Sequence, residues 1–194
     1  MISEWPGLVA RPDPGLIEDC LVLVEYLGDA RTVVDVGSGG GLPGLPLKIA
    51  RPDLELTLIE ADQDKAAFLV HACAQLGLEG VRVVARRAEN AGHDPLLREA
   101  FDVAVARALA PLPVLAELCL GLVRVGGRLL AQKTHDEDPN AARHAIEVMG
   151  GSLSAVRASP SAARRAGTVV VIEKIRETPA AYPRRPGLPN RKPL

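Results

Sequence analysis

Short β-branched runs alternate along this chain with stretches whose apolar residues recur at helical spacing. Thr32-Val33-Val34-Asp35-Val36 is such a run, ending in glycines, and Leu42 to Ala50 reads as the helix that follows, closed by Arg51-Pro52-Asp53. Leu54 to Ile59 predicts the next strand. Gln63 to Leu76 predicts an amphipathic helix with Ala66, Leu69, Val70, Cys73 and Leu76 inward and Gly77 as its stop. Val81 to Val84 and Phe101 to Ala106 are further strand candidates. Pro111 to Val123 predicts a helix whose two prolines, Pro111 and Pro113, are tolerable only near its first turn. Gly126-Gly127 predicts a turn before a strand over Arg128 to Gln132. Ala141 to Met149 predicts a helix ended by Gly150-Gly151. Ser152 to Val156 and Thr168 to Ile175 are the last two strands, separated by a polar loop rich in Ala, Arg and Ser.

This alternation implies a Rossmann-like α/β fold, with a mostly parallel sheet covered by helices on both faces. The two successive strands at the end predict an antiparallel hairpin at the sheet edge. A chain of 194 residues without internal repeats is expected to be a single domain over 1–194. It opens on a short N-terminal helical segment (1–30) and closes on an irregular, Pro-rich basic tail (178–194).

Composition narrows the function. Apolar residues at 47% supply a core, and aromatics at 3% leave that core to Leu, Val, Ala and Ile. A net charge of -1 excludes a uniformly basic nucleic-acid binder. Charge is nevertheless uneven: residues 1–34 hold six acids against Arg11 and Arg31, whereas residues 176–194 hold five basic residues against Glu177. Such a tail suits either phosphate or plain solvation. Cys20, Cys73 and Cys119 are odd in number and lack C-x-x-C spacing, and His71, His93, His135 and His144 lack metal spacing. With no signal peptide and no bilayer-length apolar run, the expectation is a reduced, cytoplasmic monomer without metal or membrane attachment.

The strongest local chemistry is Asp35-Val36-Gly37-Ser38-Gly39-Gly40-Gly41-Leu42-Pro43-Gly44, where the first strand gives way to a helix. Gly39-x-Gly41-x-x-Gly44 matches the dinucleotide fingerprint formally, with Glu60 near the spacing of a ribose-binding acid. Asp35 shifts the choice. An acid at this strand end accepts hydrogen bonds from a ligand ammonium, directly or through water, and repels a pyrophosphate. S-adenosyl-L-methionine carries that ammonium, so the loop predicts a methyltransferase, with Glu60 taking the ribose hydroxyls. Asp62 is the nearer helix-capping candidate.

Residues 35–69, 86–90 (RRAEN), 101–134 and 182–194 (YPRRPGLPNRKPL) resemble the bacterial small-subunit rRNA guanine-N7 methyltransferase family, RsmG or glucose-inhibited division protein B. They cover about half the chain in the family's order. The Leu-Pro-Gly extension of the glycine loop and the Pro-Gly-x-Pro-x-x-x-Pro-Leu tail are its more specific parts. The resemblance implies cofactor contacts at Gly37, Leu42, Ala88, Glu89 and Arg107, beside Asp35 and Gly39 from the loop and Glu60 from the end of the second strand. It also implies that Lys133 and the tail's Arg184, Arg185, Arg191 and Lys192 face 16S rRNA or the small ribosomal subunit. Arg107 is the nearest candidate to the reaction, since N7 carries a free lone pair and needs no general base. Ile17-Glu18-Asp19-Cys20-Leu21 matches the end of the family's N-terminal helical segment, where the family favours Asp-Ser-Leu; only 34 residues precede Asp35. Against this reading stand a same-fold methyltransferase of another RNA or small molecule, and a non-catalytic rRNA-binding assembly factor.

Overall fold

The computed structural model describes residues 13–134, 136–161 and 166–194. Seven strands, β1 (Thr32–Val36), β2 (Glu55–Glu60), β3 (Val81–Ala85), β4 (Phe101–Arg107), β5 (Val123–Thr134), β6 (Gly151–Ala158) and β7 (Gly167–Lys174), form one sheet in the order β3-β2-β1-β4-β5-β7-β6. The first five are parallel, and β7 runs antiparallel to both neighbours. The expected hairpin is present, but β7 inserts between β5 and β6, so only β6 lies at the edge.

Eight α-helices accompany the described strands, α1 (Gly15–Leu21), α2 (Val24–Leu27), α3 (Gly44–Ala50), α4 (Gln63–Gln75), α5 (Ala88–Ala91), α6 (Leu112–Leu120), α7 (Arg143–Val148) and α8 (Leu188–Arg191), with a 3-10 turn at Pro139–Ala142 leading into α7. The period-2 alternation of the strands divides the core in two. Val34, Val36, Ala104, Ala106, Leu129 and Ala131 pack with α6 and α7 on one face. Val33, Leu56, Leu58, Val103, Val105 and Leu130 pack with α3 and α4 on the other.

Two expectations change in detail. The predicted helix over 63–76 exists, capped by the Asp62 carboxylate on the Asp64 and Lys65 amides. Its buried face is Ala66, Phe68, Leu69 and Ala72, while Val70 and Leu76 are exposed. Phe68 wins the inward position because it buries more area than Val70. The Gly126-Gly127 turn lies inside β5 rather than before it: Phe101 pairs Val123 and Val103 pairs Arg128, so the glycines loop out as an irregularity of one longer strand. Residues 1–12 of the N-terminal segment, His135 and residues 162–165 of the loop before β7 lie outside the described residues.

The tail is irregular apart from the short helix α8, and its first part is firmly bound to the domain. Arg98 donates to the carbonyls of Gly92, Thr178, Pro179 and Tyr182. The buried Lys174 ammonium donates to the Leu120 carbonyl at 2.6 Å and pairs with Glu99, whose carboxylate also accepts from the Thr178 amide. Burial holds Lys174 below the usual lysine pKa. Arg184 was expected to face RNA, and the structure corrects this. Its guanidinium bonds bidentately to the fully buried carboxylate of Glu117 in α6, and its amide donates to the same group at 2.8 Å. A buried carboxylate needs such a partner, and Arg184 supplies it. Arg184→Ala is therefore expected to lower the unfolding free energy by ~3 kcal/mol. Arg185→Ala, at an exposed site, shifts it by under about 0.5 kcal/mol. Urea denaturation of the two variants measures the contrast.

Candidate functional site

The carboxyl ends of β1 to β4 open into a cavity of about 780 Å³. Its position follows from the topology. The chain adds β2 and β3 on one side of β1 and then crosses to β4 on the other, and ligands bind in parallel sheets at such a reversal. The glycine loop after β1 forms one wall, Glu60 and Ala61 follow from β2, Arg86 to Glu89 from β3 and Arg107 to Ala110 from β4. Asp13, Leu16 and Asn190 close it from the two ends of the chain.

The loop needs its glycines for conformation and for space. Gly37 has φ 71° and Gly41 φ 83°, in the left-handed region. The Gly37 amide donates to the Ile59 carbonyl at 2.9 Å, tying the loop to β2. A Cβ on Gly37 would strike Leu109 Cδ1, and one on Gly44 would lie 2.7 Å from Asp35 Oδ2.

Asp35 occupies a different place from the one its spacing suggested. It shares a sheet face with Val33 and turns beneath α3, fully buried and off the cavity wall. Its Oδ2 accepts from the Gly44 amide at 2.9 Å, while Oδ1 has no hydrogen-bond partner among the described residues. Burial pushes its pKa up to about 7 against the lowering effect of the Gly44 bond, and the nearby Glu60 charge adds to the rise. Asp35 thus holds the helix end under the loop and makes no direct contact with the cavity.

The other predicted cofactor residues do converge. Gly37, Gly39, Leu42, Glu60, Ala88, Glu89 and Arg107 all line the cavity. Glu60 accepts from the Gly39 amide through Oε2 and from the Asp62 amide through Oε1, both at 2.8 Å. These bonds fix its carboxylate and leave further lone pairs for a ligand. Glu89, 1% exposed, accepts from Arg87 Nη2 at 3.0 Å and from the Gly187 amide at 2.8 Å. Burial acts to raise its pKa, but the Arg87 and Gly187 bonds outweigh it and hold the group ionised below the usual glutamate range. Arg107 donates from Nε to Asp19 Oδ2 at 3.1 Å.

The basic candidates separate. Lys133 is turned inward, donating to the Ala110 carbonyl at 2.5 Å and pairing with Glu137 at 2.7 Å, so it braces the loop after β4 and does not point to solvent. Arg185, Arg191 and Lys192 are exposed. Asp19, Lys65, Arg87, Leu109 and Asn190, none of them among the predicted site residues, also line the cavity or touch its wall. Arg87 and Asn190 sit within the stretches RRAEN and YPRRPGLPNRKPL, which offered the only signal for them.

This donor set suits S-adenosylmethionine. Two fixed carboxylates on the walls favour a ligand with hydroxyl and amine donors and disfavour a pyrophosphate, and the glycine loop is a surface that side chains would fill. Among the described residues no group of three or more His, Cys, Asp or Glu is arranged to hold a metal, and no helix is long and apolar enough to cross a membrane.

Comparison with solved structures places the fold among Rossmann-like S-adenosylmethionine-dependent methyltransferases. The apo form of the S-adenosylmethionine-dependent methyltransferase SibL superposes with a TM-score of 0.64 at 18% identity, over 81% of this chain and 55% of that one. An rRNA methylase from Streptococcus thermophilus superposes with a TM-score of 0.57 at 20% identity, over 86% of this chain and 100% of that one. At the level of sequence, the GidB family model, described as rRNA small subunit methyltransferase G, matches residues 14–165. The ribosomal RNA small subunit methyltransferase G of Moorella thermoacetica is 46% identical over 90% of this chain and 74% of its own length. That of Roseiflexus sp. is 45% identical over 100% of this chain and 82% of its own length. The chain belongs to the rRNA small subunit methyltransferase G family.

The buried Asp35 carboxyl carries a pH prediction. Its folded pKa of about 7 lies above the ordinary 3.8, so the native state holds an extra proton between these values. Its contribution to stability is fully present below pH 3.8 and is lost as pH rises through 7. Asp35→Asn keeps the acceptor for Gly44 without the charge. Its stability relative to the wild type is therefore expected to rise between pH 4 and 7, measured by urea denaturation across that range.

Proposed function

We propose that this chain transfers the methyl group of S-adenosylmethionine to N7 of a guanine in 16S rRNA, using the cavity at the ends of β1 to β4. The observation that carries this reading is the pair of fixed carboxylates, Glu60 and Glu89, on a glycine-walled cavity in a member of this family. The reading treats residues 1–194 as one catalytic domain acting as a monomer.

When bound, S-adenosylmethionine supplies an electrophilic methyl group on a sulfonium. The protein's own residues supply position. Glu60 takes the ribose hydroxyls on its remaining lone pairs. The Ala88 backbone and the Glu89 carboxylate read the adenine. Gly37, Gly39 and Leu42 let the loop approach the ligand closely, and Arg107 stands at the far end, beside the reacting groups. Guanine N7 carries a lone pair that is already free, so no proton need be removed before the methyl group would pass to it; the sulfonium C–S bond would break to leave a neutral thioether, and the positive charge would pass to the methylated base. The residues' contribution would be to hold N7 in line with the methyl group, and orientation contributes up to ~10 kcal/mol in such reactions. Arg185, Arg191 and Lys192 meet RNA phosphates on the tail side of the cavity.

Titration calorimetry is expected to show S-adenosylmethionine binding to the wild type. Gly37→Ala is expected to weaken it at least about tenfold, ~1.4 kcal/mol, because a Cβ there strains a left-handed residue and strikes Leu109. Mass-spectrometric mapping of 16S rRNA with and without the gene should show the loss of one N7-methylguanine. A wild type that binds no cofactor, or an unchanged methylation map, defeats the proposal. Replacing Arg185, Arg191 and Lys192 together by Ala is expected to reduce the slope of log affinity against log salt by about 2, as measured by filter binding to the rRNA fragment.

A further inference from the structure

We infer that Asp19 is a positioning residue that aims the guanidinium of Arg107 into the cavity, an inference that rests on the function proposed above. Asp19 lies in α1, 88 residues from Arg107, and is fully buried. Among the described residues, three separate segments meet on it. Oδ2 accepts from Arg107 Nε at 3.1 Å, Oδ1 from Ser161 Oγ at 2.8 Å, and its main-chain carbonyl from Gln132 Nε2 at 2.6 Å. Gln132 is the register partner of Arg107 on the neighbouring strand, so α1 is docked across the ends of β4 and β5.

The geometry constrains Arg107 strongly. A guanidinium is planar, so committing its Nε–H to Asp19 restricts where its two Nη groups can point. With Nε committed to Asp19, neither Nη group has a hydrogen-bond partner among the described residues, and the residue stands on the cavity wall. The next residue, Ala108, has φ 52°, a conformation that a non-glycine residue adopts only when its surroundings enforce it. The backbone turn after Arg107 and the carboxylate beside it therefore act together on one side chain.

Its place along the cavity says what the two Nη groups face. Glu89 follows β3, Glu60 ends β2, the glycine loop follows β1 and Arg107 ends β4. On the proposed reading this order runs from adenine through ribose to the amino-acid end, and Arg107 comes last, where the target base enters. Nη donors at that point take an acceptor oxygen. The oxygen comes from the carboxylate of the methyl donor or from the RNA, and the two sources are separable by experiment.

The test uses the full chain with Asp19→Asn, Asp19→Glu and Arg107→Ala, and the double variant of Asp19→Asn with Arg107→Ala. Cofactor affinity comes from calorimetry, and kcat and KM from methylation of the small subunit or its rRNA. Asp19→Asn is expected to reduce one of these about 10- to 100-fold at an unchanged melting temperature, with partial recovery in Asp19→Glu. Loss of cofactor affinity identifies the donor's carboxylate, and loss of kcat with affinity retained identifies an RNA oxygen. The double variant should be no worse than Arg107→Ala alone. Unchanged constants in Asp19→Asn, or losses that add in the double variant, overturn the inference. NMR of the wild type gives a readout independent of activity: the Arg107 Nε–H resonance, assigned by its absence in Arg107→Ala, should be protected from solvent exchange. An unprotected resonance rejects the inference even if Asp19→Asn does not fold. A protected resonance in a protein that does not methylate rRNA upholds the pairing and rejects the proposed reaction alone.

Discussion

A parallel strand packed on both faces has nowhere to present polar chemistry except its ends, and this constraint organises the molecule. Residues Val33 to Val36, Leu56 to Glu60 and Val103 to Ala106 are all buried. Each strand's functional side chain is accordingly found at its carboxyl end or just beyond, as Glu60, Glu89 and Arg107 are. The amino ends carry a stabilising counterpart: Asp102 accepts from the Arg31 and Thr32 amides and from Arg124, joining β1, β4 and β5 on the side away from the cavity.

Buried ion pairs decide which charges are free for function. Glu117 takes Arg184 out of the RNA-facing set, and Glu137 does the same to Lys133. Both basic residues belong to stretches resembling the family, yet each has a carboxylate within reach. In a low-dielectric setting such a contact outweighs solvation of the cation only when hydrogen bonds complete it, as the Arg184 amide and the Ala110 carbonyl do here. The tail consequently has two roles. Its first part, through Arg184, is bound structure, and its last part displays Arg185, Arg191 and Lys192. Gly187 lies between them and donates to Glu89, so the tail is also coupled to the cavity wall.

Much of this was legible in the chain itself. The alternation of strands and helices, the loop with its left-handed glycines and the convergence of Glu60, Glu89 and Arg107 follow from local patterns and from the family resemblance. The structure departs from these patterns where packing, and not spacing, sets the place of a side chain. The spacing of Asp35 suits a ligand-facing role, but strand parity turns it beneath α3. The inward face of α4 was displaced because spacing does not say whether Val70 or Phe68 fills a given gap.

The sequence by itself determined the order of elements, the glycine turn after the first strand and the presence of acids at successive strand ends, because each depends on residues a few positions apart. Only the tertiary structure decided which charges are neutralised inside, where β7 inserts, and that Asp19 reaches Arg107. Those outcomes depend on pairings across many tens of residues, where burial and hydrogen-bond geometry choose among partners that local sequence leaves equivalent.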